Sequence, residues 1–207
     1  MAFRLPKHVV WEPFQKIKFM KKRNSCCSGV LLHLLASFIL LTSLLILPRT
    51  HAAIGDSFTI GELNYTVLSL SSISRTGTVS VKAAVSTLSA DITIPASILN
   101  DNVRYSVVLI PAGAFQSTKG MKTITIPERV NEIGDRAFNA CANLTNIVIP
   151  NSVSSINNET FYECRSLKSV VIPSSVTSIG DFAFYGCYSL PSIIIPDSVT
   201  SIGEQAF

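Results

Sequence analysis

Cys141, Cys164 and Cys187 recur at a fixed step of 23 residues, and three thiols in one register invite three kinds of chemistry. They are candidates for metal ligands, for a disulfide, or for a nucleophile. A tetrahedral zinc site needs ligands converging on one point, which a row of thiolates one repeat apart does not offer. Stacked neighbours about 4.8 Å apart would fall within the Cα separation of a disulfide, and in an exported chain three thiols suggest one bridge with a thiol left over. Cysteine between apolar positions is, however, among the most buried residue types, so the sequence predicts a ladder of buried, reduced core thiols. A nucleophile needs a base beside it. All three histidines (His8, His33, His51) and the only tryptophan lie in the first 52 residues. Asp135 and Asp181 share a register but belong to different repeats. The chain is therefore read as non-enzymatic, with no catalytic residue, cofactor or metal site.

The elements that must position these residues repeat with the cysteines. Phe115, Phe138, Phe161, Phe184 and Phe207 keep the same 23-residue step, and a fixed period of this size marks stacked repeats. Full units cover 127–149, 150–172 and 173–195, a further unit begins at Pro196, and 105–126 is a degenerate first unit with Thr118 and Met121 in the Cys and Leu positions. Ile124/Ile126, Ile147/Ile149, Val170/Ile172 and Ile193/Ile195 alternate with period two, which predicts a short strand in every unit. Pro127, Pro150, Pro173 and Pro196 should close those strands, because proline cannot donate to a ladder. Val130, Val153, Val176 and Val199, then Ile133, Ile156, Ile179 and Ile202, continue the inward face. Gly134, Asn157, Gly180 and Gly203 share one column, for which positive φ is expected; Pro111, in that column of the first unit, requires a different turn.

The pattern IPxSVxSIGxxAFxxCxxLxxIxIP resembles the BspA-like leucine-rich repeat family over about 105–207, with Thr160 for Ala and Asn157 for Gly as departures. The resemblance implies a β-rich solenoid of right-handed coils with a stacked parallel sheet. It also implies a secreted or surface-attached protein of a kind associated with adhesion. Repeat surfaces of this type offer long binding faces and seldom build catalytic pockets.

The N-terminus has a different composition. Residues 30–47 form an apolar run preceded by Lys21, Lys22 and Arg23 and followed by Thr50-His51-Ala52. Basic flank, apolar run and small residues make a signal peptide covering 1–52, cleaved after Ala52; the rival is an uncleaved anchor, since the run is near the shortest that spans a bilayer. Cys26 and Cys27 precede the run, so neither takes a lipoprotein position, and Met20 offers an alternative start. Eight of the 17 Lys and Arg, but only one of the 13 Asp and Glu, lie in 1–52, which leaves nine basic and 12 acidic residues and a net charge of −3. The basic character of the whole chain thus belongs to the leader, and binding to nucleic acid loses its support.

Residues 53–104 lack the period. Phe58 to Ile60 and Tyr65 to Leu68 read as a hairpin, and Thr78 to Val81 and Asp91 to Ile94 as further strands, with 69–76 as a polar loop. Together they suggest a small β cap over the first repeat. Three triplets of the glycosylation type, at Asn64, Asn143 and Asn158, are assigned no role. Because the sequence stops at Phe207 partway through a unit, it is read as a piece of a longer array, whose uncovered last strand (193–195) would template self-association.

Two surfaces are candidates for binding. Thr125, Val148, Val171 and Ile194 alternate with the inward strand residues and form an outward stripe, bordered by Thr123, Asn146, Ser169 and Ser192. One reading is a partner-binding face; the other is that β-branched residues simply suit strands. Tyr162, Tyr185, Tyr188 and Phe182 form a second cluster, read as covering the core edge rather than contacting a partner. The sequence points to an exported protein that binds a protein or cell-surface ligand. Its alternatives are the repeat module of a larger secreted enzyme and a carbohydrate-binding surface.

Overall fold

The computed structural model describes residues 52–71 and 73–207. The apolar run, its basic flank, Cys26 and Cys27, the three histidines and the cleavage positions before Ala52 lie outside the described residues. Among the described residues there are thirteen strands and no helix.

The strands expected at 58–60, 65–68, 78–81 and 91–94 are present, the first three starting one or two residues earlier, and a hairpin over 97–110 joins them where the sequence predicts none. β1 (Ser57–Ile60) and β2 (Leu63–Ser71) form an antiparallel hairpin around Gly61 at φ 60°. In β2, Leu63, Tyr65 and Val67 point into the core while the residues between them are half-buried, the alternation that makes one face of a strand inward. β3 (Thr76–Ala83) pairs antiparallel with β2 along its whole length, so most of the predicted polar loop 69–76 is strand or, at 73–75, turn. β4 (Asp91–Thr93) comes next in the chain. β5 (Ser97–Asn100) and β6 (Val103–Ile110) close a two-residue hairpin through Asp101 and Asn102, at φ 49° and 61°, the backbone that primed hairpin turns require.

In the repeats, β7 (Thr123–Thr125), β9 (Asn146–Val148) and β11 (Ser169–Val171) stack in parallel with Ile124, Ile147 and Val170 in register. β4 is the first strand of this sheet: Ile92 pairs with Ile124, at a step of 32 instead of 23, because the β5–β6 hairpin is inserted in that turn. β8 (Glu132–Ile133) pairs with β6, which makes it a continuation of the N-terminal sheet. β10 (Ser155–Ile156), β12 (Ser178–Ile179) and β13 (Ser201–Ile202) form a third, parallel sheet. The segment 53–104 and the repeats therefore share sheets.

Between strands the coils are still tied to each other. Phe115, Phe138, Phe161 and Phe184 each donate N–H to the carbonyl before the next phenylalanine, at 2.7–2.9 Å. Their rings stack in a continuous column to Phe207, with centroids 5.2–5.6 Å apart. Pro127, Pro150, Pro173 and Pro196 each accept the N–H of the valine three residues on, at 3.0–3.1 Å.

Two expectations are corrected. None of Gly134, Asn157, Gly180 and Gly203 has positive φ. The left-handed residues are Gly113, Arg136, Glu159, Phe182 and Gln205, and a second column of Ser117, Ala140, Glu163 and Gly186. Glycine is needed at 134, 180 and 203 because the preceding coil's backbone is too close: an added Cβ would lie 2.5–2.9 Å from backbone atoms there. Asn157 fits a side chain in that column and donates from Nδ2 to the Ile133 carbonyl at 2.7 Å. The second correction is that 193–195 is not a strand. Thr145 donates to Lys122 and Lys168 to Thr145, both at 2.8 Å, but the next residue in register is Pro191, which has no N–H to give.

Candidate functional site

The thiols are built into the core. Cys141 and Cys164 are buried and Cys187 is half-buried, and all three are free. Each Sγ donates to a phenylalanine carbonyl of the coil before it: Cys141 to Phe115 at 3.0 Å, Cys164 to Phe138 and Cys187 to Phe161 at 3.2 Å. Burial pushes the thiols of Cys141 and Cys187 up to about 12 and that of Cys164 well above its ordinary value. A protonated thiol is neither nucleophile nor metal ligand. The expectation of a buried ladder is met in full at Cys141 and Cys164 and only in part at Cys187.

The carboxylates of the shared column act as clamps between coils. Asp135 accepts the Asn158 N–H at 3.1 Å, Asn158 Oδ1 accepts the Asp181 N–H at 2.9 Å, and Asp181 accepts the Glu204 N–H at 2.7 Å. Arg136 forms a two-point pair with Glu159 at 2.6 and 3.0 Å, which holds the Glu159 carboxyl below its usual range. Among the described residues, no group of three or more His, Cys, Asp or Glu is arranged to hold a metal ion.

The outward stripe stands where the alternation places it. Thr125 is exposed, and Val148, Val171 and Ile194 are 61%, 54% and 85% exposed, on consecutive coils. Thr123 is half-buried, and Asn146, Ser169 and Ser192 are exposed along its border. Thr125, Val148 and Val171 share one sheet; Ile194 lies beyond its last strand. Lys122 and Lys168 are exposed just before β7 and β11. The structure adds two residues that sequence reasoning left out of the face: Asp91 and Thr93 sit in register with Thr123 and Thr125, and Asp91 Oδ1 accepts the Thr123 hydroxyl at 2.6 Å. A signal was present, since Asp91-Ile-Thr-Ile-Pro95 matches Thr123-Ile-Thr-Ile-Pro127 almost letter for letter; the longer step concealed it.

The aromatic cluster is a packed feature with one exposed member. Tyr162 and Tyr185 stack at 5.4 Å, Phe182 meets Tyr185 edge-on at 5.9 Å, and these three are half-buried. Tyr188 is 76% exposed.

A stack of helix-free, parallel-paired coils with a constant core and an exposed strand face is the architecture of a repeat protein. Six copies of the BspA type leucine rich repeat region match residues 91–207, and the chain belongs to that family. The match begins at β4, as the four-stranded parallel sheet does. A leucine-rich repeat protein from Bacteroides ovatus is 38% identical with a TM-score of 0.62, over 72% of this chain and 38% of that one. The T. pallidum leucine-rich repeat protein (TpLRR) is 26% identical with a TM-score of 0.59, over 73% of this chain and 66% of that one. The pneumococcal vaccine antigen PcpA shares the fold at 21% identity and a TM-score of 0.55, over 73% of this chain and 47% of that one. This chain thus spans 38% of the Bacteroides protein's length and 66% of TpLRR's. No curated protein matches it.

Proposed function

We propose that this chain is an exported, right-handed leucine-rich repeat solenoid that binds other proteins at the cell surface through the outward face of its strand stack. In this reading 1–52 is the leader, 53–104 the cap and 105–207 the repeats. The basic flank and apolar run of 30–47 support export. The observation that carries the binding face is the run of exposed Val148, Val171 and Ile194 on successive coils, bordered by Asn146, Ser169 and Ser192. Strand preference accounts for β-branched residues, but an apolar ladder with a polar rim also leaves surface that a partner can bury.

Val171→Glu tests the reading. An outward position alters stability by less than about 0.5 kcal/mol, so the variant should keep its circular dichroism and melting curve. On an array of extracellular proteins it should lose the hits of the parent chain. Unchanged affinity in a folded variant would remove the stripe from the binding face.

A further inference from the structure

β4 is the last strand of its sheet and pairs only with β7 among the described residues. Along its other side runs a trough of about 360 Å³, walled by Ile60, Leu63 and Tyr65 of the β1–β2 hairpin. Which backbone groups of β4 face that trough follows from its bonds to β7. The Ala90 carbonyl accepts the N–H groups of Lys122 and Thr123 at 2.6 and 3.0 Å, and the Ile94 N–H donates to Thr125 at 3.0 Å. In a parallel ladder alternate residues turn to opposite sides, so the N–H and C=O groups of Asp91 and Thr93 point to the trough. The edge is closed at both ends of this window. The Ser89 N–H donates to both Glu62 carboxylate oxygens at 3.1 Å, and Pro95 has no N–H. Two residues of open ladder remain.

We propose that this window is a strand-addition site for a short extended peptide segment of a protein partner, with a Lys or Arg side chain seated in the trough. Unpaired edge groups supply the main-chain bonds of such recognition, and pockets beside the edge choose the side chains. The choice of a basic side chain comes from charge. The trough carries the carboxylates of Glu62 and Asp91 and no Lys, Arg or His, while Ile60 and Pro95 give an apolar surface for an aliphatic stem. The site is also continuous with the outward stripe, because Thr93 is in register with Thr125. It rests on the reading that the chain binds protein, and gives that partner a direction, entering the stripe from its β4 end.

The test uses the full chain and a blocked heptapeptide of sequence Thr-Lys-Val-Lys-Val-Lys-Thr, with its Lys-to-Glu counterpart as control. The lysine peptide should shift the backbone amides of Asp91 and Thr93 in nitrogen-correlated spectra and slow their hydrogen exchange. The glutamate peptide should bind about tenfold more weakly or worse. Thr93→Pro removes one edge donor without touching the bonds to β7 and should weaken the lysine peptide about five- to tenfold. If Thr93→Pro does not fold, Asp91→Asn decides: it keeps an acceptor for Thr123, removes the charge, and should weaken the lysine peptide severalfold. Unshifted Asp91 and Thr93 amides, or equal affinity for both peptides, would overturn the proposal. Peptide binding that survives while the stripe loses its role on the protein array would separate this site from the reading above it.

Discussion

The residue scale shows how a repeat uses glycine for its size and places most of its left-handed backbone on residues that are not glycine. At Gly180 an added Cβ would sit 2.5 Å from Asn158 Oδ1 and 2.7–2.8 Å from backbone of the preceding coil. Gly180→Ala is therefore expected to destabilise by about 1–3 kcal/mol, the usual cost of overpacking, measured by urea denaturation. Ala140 holds φ 57°, which costs an L-residue roughly 1–2 kcal/mol, less the greater chain entropy glycine loses on folding. Ala140→Gly should then stabilise by about 0.5–1 kcal/mol; a loss of stability would mean that its Cβ packing outweighs the strain. The thiols carry a pH signature. Their folded-state values are raised above the ordinary 9.0, to about 12 at Cys141 and Cys187. Their contribution is present below pH 9 and is lost as pH rises toward 12, because only the unfolded chain ionises freely there. Denaturation midpoints between pH 8 and 10.5 should fall, and a Cys141→Ala, Cys164→Ala, Cys187→Ala variant should flatten that fall.

At the scale of elements, the short strands are held by neighbours in adjacent coils, and the sheet ends at the coil where Pro191 has no donor to give. Restoring it is the direct check. Pro191→Lys places an N–H at the register position where Thr145 and Lys168 donate to the coil before them. Amides in 193–195 should gain hydrogen-exchange protection in this variant, and the exposed Ile194 should keep its outward position. Protection unchanged from the parent would show that something other than the proline keeps this segment out of the ladder.

On the scale of the whole described molecule, stability is added coil by coil through columns that touch only the coils above and below. The phenylalanine column runs unbroken from Phe115 to Phe207. Phe161 stacks on both neighbours and is fully buried. Phe161→Ala should cost about 3–5 kcal/mol, and because repeat arrays couple mainly to nearest neighbours, the loss should appear first as exchange in 150–207 while β2 and β3 stay protected. Uniform loss of protection would show that the N-terminal sheet and the repeats unfold as one unit.

The 23-residue step, the alternation around Ile147 and Val170, and the Pro, Phe, Cys and Leu columns were legible because each is set by a local rule: period two for a strand, a missing donor for a strand end, an apolar side chain for a core. The outward stripe followed from the same alternation. What sequence could not supply was every feature that depends on the distance between coils. Gly134, Gly180 and Gly203 answer to the backbone of the preceding coil, while positive φ falls at Arg136 and Ala140, residues with no compositional mark of it. Asp91 and Thr93 join the face only because an inserted hairpin folds away and lets β4 reach β7. Pro191 looks like any loop proline until the ladder beside it is seen. A repeat's own residues specify its core, but steric clearance, ladder bonds and the open edge of a sheet arise between coils, and only the assembled stack determines them.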